Sequence, residues 1–301
     1  MALYLGIDVG GTNIKYALMD RDGSILEKGE MPTPMDGLEV YLETLVSVRE
    51  LFPQAEALVM SAPGRIDAER GYFYTGGSLT YVHETDLAAL LADRIGIPFT
   101  AENDAKCAAL AELWKGSMRG VKNGVVMTLG TGVGGAVILD GKIHRGPSGA
   151  AGEFSWMASD ITGRYTFPGI WGLRGGAGGL TRRYETCLCL EEGSVNGRIF
   201  FERLNAGDPD AAAALDEYAG GLVSGILTLQ AVLDVDRFSI GGGISRQPAL
   251  IAAVGRKLDE AWEELGAMMP MRRPEITACT FGNDANLIGA LYHYLTQKDL
   301  V

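Results

Sequence analysis

The chain has 301 residues, 47% of them hydrophobic and 21% charged, with a formal net charge of −12. That length exceeds what one hydrophobic core usually serves, so two domains are expected, built from ordinary globular composition. The negative charge argues against non-specific binding to nucleic acid or anionic membrane, and no apolar run reaches bilayer length.

In chain order, strand-like runs at 3–9, 14–19 and 25–30 are separated by Asp8-Val9-Gly10-Gly11-Thr12 and by Asp22-Gly23. Leu38, Tyr41, Leu42, Leu45, Val46 and Val48 recur at helical spacing and predict a helix over 38–52. A strand at 57–60, the turn Ser61-Ala62-Pro63-Gly64 and a loop-rich stretch through residues 71–77 follow. A helix at 87–95, a short strand at 98–101 and a helix at 104–114 complete a β-β-β-α-β-α-β-α series. The theme restarts with strands at 125–129, 136–139 and 142–144, the last two joined by Asp140-Gly141. A Gly-rich excursion over 146–180 interrupts it and reads as a mobile lid or a dimer contact. Helical patterns then cover 182–190, 199–205 and 211–233. A strand at 238–240 enters Gly241-Gly242-Gly243, and a helix at 287–295 closes the chain, placed to pack back on the first half. The strand–Gly turn–strand opening thus occurs twice, at different spacings.

Four cysteines, Cys107, Cys187, Cys189 and Cys279, show no C-x-x-C pair or disulfide framework and are expected to be buried reduced thiols. With no signal-peptide pattern at the start, where Asp8 interrupts a short apolar stretch, the expected location is the cytoplasm.

The two Gly/Thr loops, at Gly10-Gly11-Thr12 and Gly130-Thr131-Gly132-Val133-Gly134-Gly135, each lie between two strands. Glycines let backbone approach an anion closely, and successive N–H groups form anion-binding concavities. Such loops in both halves suggest a nucleotide held between two similar lobes. The second loop also matches G-x-G-x-x-G, but Ala136-Val137-Ile138-Leu139 continues it as a strand, whereas a dinucleotide fold needs a helix there.

The carboxylate best placed for chemistry lies in Ala101-Glu102-Asn103-Asp104-Ala105, between a strand and a helix. Backbone N–H groups at a helix start favour its ionised form. Asn and Asp are also common helix caps, and Gly282-Asn283-Asp284-Ala285-Asn286 is a near copy ahead of the last helix. Spacing alone leaves both roles open at both places.

In their order along the chain, Asp8-Val9-Gly10-Gly11-Thr12, Ser61-Ala62-Pro63-Gly64, Glu102-Asn103-Asp104-Ala105, the Gly loop at 130–135, Gly149-Ala150-Ala151-Gly152-Glu153 and Ile240-Gly241-Gly242-Gly243 resemble the ROK family (repressors, open reading frames and sugar kinases). The resemblance covers nearly the full length. It implies an α/β, two-lobed actin-like ATPase (ribonuclease H-like) fold with duplicated β-β-β-α-β-α lobes and a central cleft. Residues 1–117 plus 287–301 would form the N-terminal lobe and residues 118–286 the C-terminal lobe. It also implies ATP- and Mg²⁺-dependent phosphorylation of a hexose hydroxyl, usually at carbon 6, by a homodimer. Asp104 becomes the general base and Asp284 a cap. Ser61, Gly77, Asn103, Glu153 and Trp156 would join Asp104 around the sugar. Asp8, Gly10, Gly11, Thr12 and Asn13 would meet the phosphates, with Gly130, Thr131 and Gly132 opposite. Gly241 and Gly242 would lie against the adenosine. Asp8 would orient the hydration shell of Mg²⁺, an ion that keeps several waters.

Many family members carry Gly-Glu-x-Gly-His, whose His clasps the sugar and binds zinc. Here the run is Gly152-Glu153-Phe154-Ser155-Trp156, and residues 154–184 contain neither Cys nor Glu, so no zinc site is expected. Trp156 offers a sugar an apolar face and one N–H donor, or else packs in a core or lid. The segments 61–67, Thr75-Gly76-Gly77, 151–154 and 282–290 look most like the zinc-free β-glucoside kinase branch, which implies the non-reducing glucosyl unit of cellobiose-like sugars as acceptor. Glucokinase and N-acetylmannosamine kinase activity are the alternatives within the family. A sugar-sensing repressor would need a DNA-binding module ahead of Leu3, where two residues stand, and a non-catalytic scaffold is the remaining reading.

Overall fold

The opening meander follows from three apolar runs split by tight turns: β1 (Leu3–Val9), β2 (Asn13–Asp20) and β3 (Ile25–Pro32) pair antiparallel in sequence order. The computed structural model describes residues 2–160 and 162–301. Met1, in the predicted first lobe, and Ile161, in the Gly-rich excursion, lie outside the described residues. Helix α1 (Leu38–Leu51) buries Tyr41, Leu42, Leu45 and Val48, one face at helical spacing. Then β4 (Ala57–Ala62) pairs parallel with β1. The stretch expected to be loop contains two two-residue strands, β5 (Ile66–Asp67) and β6 (Tyr72–Phe73), and a third, β7 (Thr85–Asp86), follows beyond it to complete a small antiparallel sheet. Two residues are too few for an alternation pattern to register. After α2 (Leu87–Ile95), β8 (Phe99–Asn103) joins parallel to β4, and α3 (Asp104–Lys115) follows directly. The sheet order is β3-β2-β1-β4-β8.

The second half repeats this order with β9 (Gly124–Leu129), β10 (Val133–Leu139), β11 (Lys142–His144), β12 (Arg237–Gly241) and β13 (Glu275–Ala278), arranged β11-β10-β9-β12-β13. Between β11 and β12 come α4 (Trp171–Gly175), α5 (Ala177–Cys187), α6 (Gly197–Asn205) and α7 (Pro209–Leu233), with α8 (Pro248–Leu265) ahead of β13. Strand β10 starts three residues before its predicted beginning and takes in Gly134 and Gly135. The helix expected at 182–190 runs instead from Ala177. The chain ends in α9 (Ala285–Gln297).

The contacts divide into two units: residues 1–115, 145–150 and 284–301, and residues 116–144 and 151–283. The strap 145–150 counts with the first unit although it lies mid-sequence. In the first unit, β1 is buried on both faces, which is why it reads as one apolar run. Leu5, Ile7 and Val9 pack with Tyr41, Leu42 and Leu45, whereas Tyr4 faces Leu287, Leu291 and Tyr294 of α9. Each such aliphatic side chain contributes about 1.5–3 kcal/mol on burial. In the second unit one cluster joins Val125, Met127 and Leu129 to Leu222 and Ile226 of α7 and to Leu250 and Val254 of α8. Among the described residues no helix is long and apolar enough to cross a membrane. Cys107 is buried as expected, but Cys187 and Cys189 are exposed, because they fall at and just beyond the solvent-facing end of α5.

Candidate functional site

At the end of β1 the chain must reverse into β2, and Val9 pairs with Ile14, leaving Gly10 to Asn13 as the turn. The Gly10 N–H donates to the Asn13 carbonyl at 2.9 Å, so Gly10 and Asn13 close the loop on itself. Thr33 braces it from β3's end, its hydroxyl donating to the Gly10 carbonyl at 2.7 Å and its N–H to the Thr12 carbonyl at 2.8 Å. The N–H groups of Gly11 and Thr12 have no partner among the described residues, which leaves two backbone donors for an anion.

Asp8 stands at the base of this loop with only 8% of its surface exposed. Its Oδ1 accepts from Ser61 Oγ at 3.0 Å and from Asn286 Nδ2 at 2.9 Å. Burial pushes the carboxyl above its ordinary value, while the Asn286 and Ser61 hydrogen bonds and the Lys15 charge pull the other way. Ser61, expected to touch the sugar, is fully buried and belongs with Asp8 instead. Asn286 is a residue that the sequence reading missed, although it lies in the near copy of the Asn-Asp motif. Among the described residues no group of three or more His, Cys, Asp or Glu side chains gathers to hold a metal alone. One buried carboxylate at the base of a loop that carries two unpartnered N–H groups fits Mg²⁺ held through water and phosphate.

The candidate base stands where β8 gives way to α3. Asn103 is buried and tied on three sides: Nδ2 donates to the Gly64 carbonyl and to Asp104 Oδ1, both at 3.0 Å, and Oδ1 accepts the Lys106 N–H at 3.2 Å. The last of these bonds is a helix cap. Asp104 Oδ1 also accepts the Ala105 N–H at 2.8 Å, and the side chain is half-buried. Gly64 has φ of +99° and no room for a Cβ, which would lie 2.1 Å from the Thr75 carbonyl oxygen. That close approach brings the 75–77 loop, including Gly77, against Pro63 and Gly64. The structure thus gathers Gly64, Gly77, Asn103 and Asp104 within one unit. Glu102, fully buried, ion-pairs with Arg145 of the strap and accepts the Asn103 N–H at 2.8 Å.

In the second unit the G-x-G-x-x-G run is a β-hairpin, Val133 pairing with Leu129. Gly130 and Thr131 are exposed, and Ser155 Oγ bonds both the N–H and the carbonyl of Val133 at 3.1 Å. Part of the excursion read as lid or contact has a different place. Gly176 lies so close beneath the loop that a Cβ would sit 2.6 Å from the Thr131 carbonyl oxygen, and the Ala177 N–H donates to the Gly130 carbonyl at 2.8 Å. Glycines there support the loop. Glu153 is exposed, and Trp156 is 57% exposed, not a core aromatic. The Trp156 carbonyl accepts the Tyr165 hydroxyl at 2.7 Å. Gly241 is buried against Cys279, and Gly242, at φ +96°, lies where a Cβ would meet the Leu129 carbonyl oxygen at 2.3 Å. Beside this turn is a cavity of about 400 Å³ lined by Gly243, Ile244 and Gln247 together with Arg198, Glu202 and Asn205 of α6. The last three sit at helical spacing on one face, a signal the sequence carried but did not tie to the glycines.

Residues 4–297 match the ROK family. The chain belongs to the ROK family. A beta-glucoside kinase of Klebsiella pneumoniae is 32% identical over 292 residues, covering 95% of this chain and 94% of the relative. A ROK family protein from Streptococcus pneumoniae TIGR4, solved in complex with sucrose, superposes with a TM-score of 0.88 at 30% identity, covering 99% of this chain and all of that one. A ROK family glucokinase from Streptomyces griseus, solved with glucose and AMPPNP, gives a TM-score of 0.80 at 26% identity over 96% of this chain and 98% of that one. The fold is the two-lobed actin-like ATPase fold of these sugar kinases, and the repeated sheet order is its duplication.

Proposed function

We propose that this ROK-family sugar kinase transfers the γ-phosphoryl group of ATP to the 6-hydroxyl of the non-reducing glucosyl unit of a β-glucoside such as cellobiose. The observation that carries the kinase chemistry is the triply tied Asn103 beside Asp104, at the end of a buried strand and against Gly64. Phosphoryl transfer proceeds through a loose transition state, so catalysis is mostly positioning and charge stabilisation. Asp104 accepts the proton as the sugar oxygen bonds to phosphorus and the bond to the bridging oxygen of ADP breaks. Asn103 holds a neighbouring hydroxyl, and Gly77 and Glu153 complete the sugar contacts. The N–H groups of Gly11 and Thr12 hold the terminal phosphates with Gly130, Thr131 and Gly132, while Gly10 and Asn13 shape the first loop. Adenosine lies along Gly241 and Gly242 with Arg198, Glu202 and Asn205 as polar neighbours. Mg²⁺ supplies neutralisation of phosphate charge, and Asp8, kept in place by Ser61 and Asn286, would hold it through water.

The choice of a β-glucoside rests on Trp156 standing exposed where many family members have a sugar-clasping His. An indole stacks on a ring without demanding a free anomeric hydroxyl. The Klebsiella relative named beta-glucoside kinase points the same way. Steady-state kinetics on cellobiose, glucose and N-acetylmannosamine test the reading. A higher kcat/KM on cellobiose is expected, and equal or better efficiency on glucose rejects the disaccharide preference without touching the kinase reaction.

A further inference from the structure

The first unit contains a cavity of about 420 Å³ between β5 and the strap 145–150 that no step of the proposed transfer uses. Its volume falls within the roughly 300–1,000 Å³ typical of small-molecule sites. Arg65, Tyr74, Arg145 and Ser148 line it, together with Asp67 and Glu69. It adjoins the acceptor residues by two routes. Arg65 follows Gly64, whose carbonyl accepts from Asn103 Nδ2 at 3.0 Å, and Arg145 ion-pairs with Glu102, the residue before Asn103.

The chemistry of the lining selects a class of ligand. Two arginines and two carboxylates share the lining, and Arg145 is already paired with Glu102, so no excess positive charge remains there to favour an anion. Hydroxyl-rich neutral molecules need donors and acceptors side by side, which arginine and carboxylate side chains supply. The Arg65 guanidinium lies over the Tyr74 ring, 4.2 Å from its centroid, which fixes its plane. Its Nε is buried without a hydrogen-bond partner among the described residues, and an unsatisfied buried donor costs about 1–3 kcal/mol. A ligand that draws the guanidinium into hydrogen bonds recovers part of that cost.

We propose that this cavity is the subsite for the second sugar ring, the one on the far side of the β-glycosidic bond. The inference rests on the β-glucoside reading and adds to it a place and a set of contacts for the leaving half of the disaccharide. Glucose alone leaves the cavity to water, whereas cellobiose fills it.

Two variants test this through the ratio of kcat/KM on cellobiose to that on glucose, each checked by its thermal unfolding midpoint. Ser148→Trp, at an exposed strap position, obstructs the cavity without touching the core and is expected to cut the ratio at least tenfold. Arg65→Ala is expected to cut it about three- to tenfold, with most of the change in KM for cellobiose and little in kcat. A ratio unchanged in both folded variants overturns the subsite, as does an equal fall on both sugars, which would mean that these residues act on the acceptor site as a whole. A wild-type ratio at or below one overturns the β-glucoside reading and the subsite with it. The two failures are therefore told apart by whether they appear in the variants or already in the wild type.

Discussion

Glu102-Asn103-Asp104-Ala105 and Gly282-Asn283-Asp284-Ala285 differ in one residue and both lead into a helix, yet they are built differently. In the first, Glu102 and Asn103 end β8, the buried edge strand of the first sheet, and have their side chains bound on several sides. In the second, a single 3-10 turn (Gly282–Asp284) leads in, Asn283 is exposed, and Asp284 makes no cap hydrogen bond to α9. Asp284 pairs instead with Lys28 at 3.5 Å, an exposed pairing of the kind worth about 0–1 kcal/mol. The useful side chain there is Asn286, two residues on, which holds Asp8. The same Asn-Asp pair is thus tied into a strand end in one place and left at the surface in the other.

The comparison breaks most sharply at the two aspartates. Asp104→Asn is expected to lower kcat by about 10²–10⁴-fold while sugar affinity, measured by titration calorimetry, changes only a few-fold. Asp284→Asn is expected to stay within about twofold of wild type, and a larger loss there would erase the distinction. Next in size is Asn286→Ala, which removes one of the two donors on a buried carboxylate. Turnover should fall about tenfold and the Mg²⁺ concentration for half-maximal rate should rise, since hydrogen bonds to charged groups are worth about 1.5–3 kcal/mol.

Smaller still is the effect of caps on stability. Asn103→Ala removes the bond to the Lys106 N–H and should cost about 1 kcal/mol in denaturant unfolding. Asn283→Ala, at an exposed site, should change stability by no more than about 0.5 kcal/mol. An effect confined to acid pH concerns His293, buried on α9, where burial holds its pKa below 6.5, the nearby Glu102 opposes that shift and Arg145 adds to it. Below pH 6.5 the unfolded chain takes up a proton that the folded chain refuses, so stability falls on acidification until the folded value is reached, by under about 1.4 kcal/mol per pH unit. His293→Gln should flatten that part of the stability–pH curve, and an unchanged slope would show that His293 does not produce it.

Much of the fold was legible because its strands carry dense apolar runs cut by Gly and Asp-Gly turns, as at residues 3–30 and 125–144. Helix α8 went unread although its signals were present: Pro248 at the first position and Leu250, Ala253, Val254 and Leu258 on one buried face. Strand β13 was not legible, since four edge residues paired only with β12 show no apolar pattern. At the site, Asp8, Asn103 and Asp104 could be named from motifs, but Ser61's turn toward Asp8, Thr33's brace and Asn286's hydrogen bond join residues 23 to 278 positions apart, which no local pattern encodes.

The most direct test of the account is a crystal structure with a non-hydrolysable ATP analogue and the sugar that the kinetics select. The account predicts the acceptor 6-hydroxyl about 2.6–3.2 Å from an Asp104 carboxylate oxygen, with the terminal phosphate on the N–H groups of Gly11 and Thr12. A sugar bound with that hydroxyl away from Asp104, or facing another carboxylate, would contradict it.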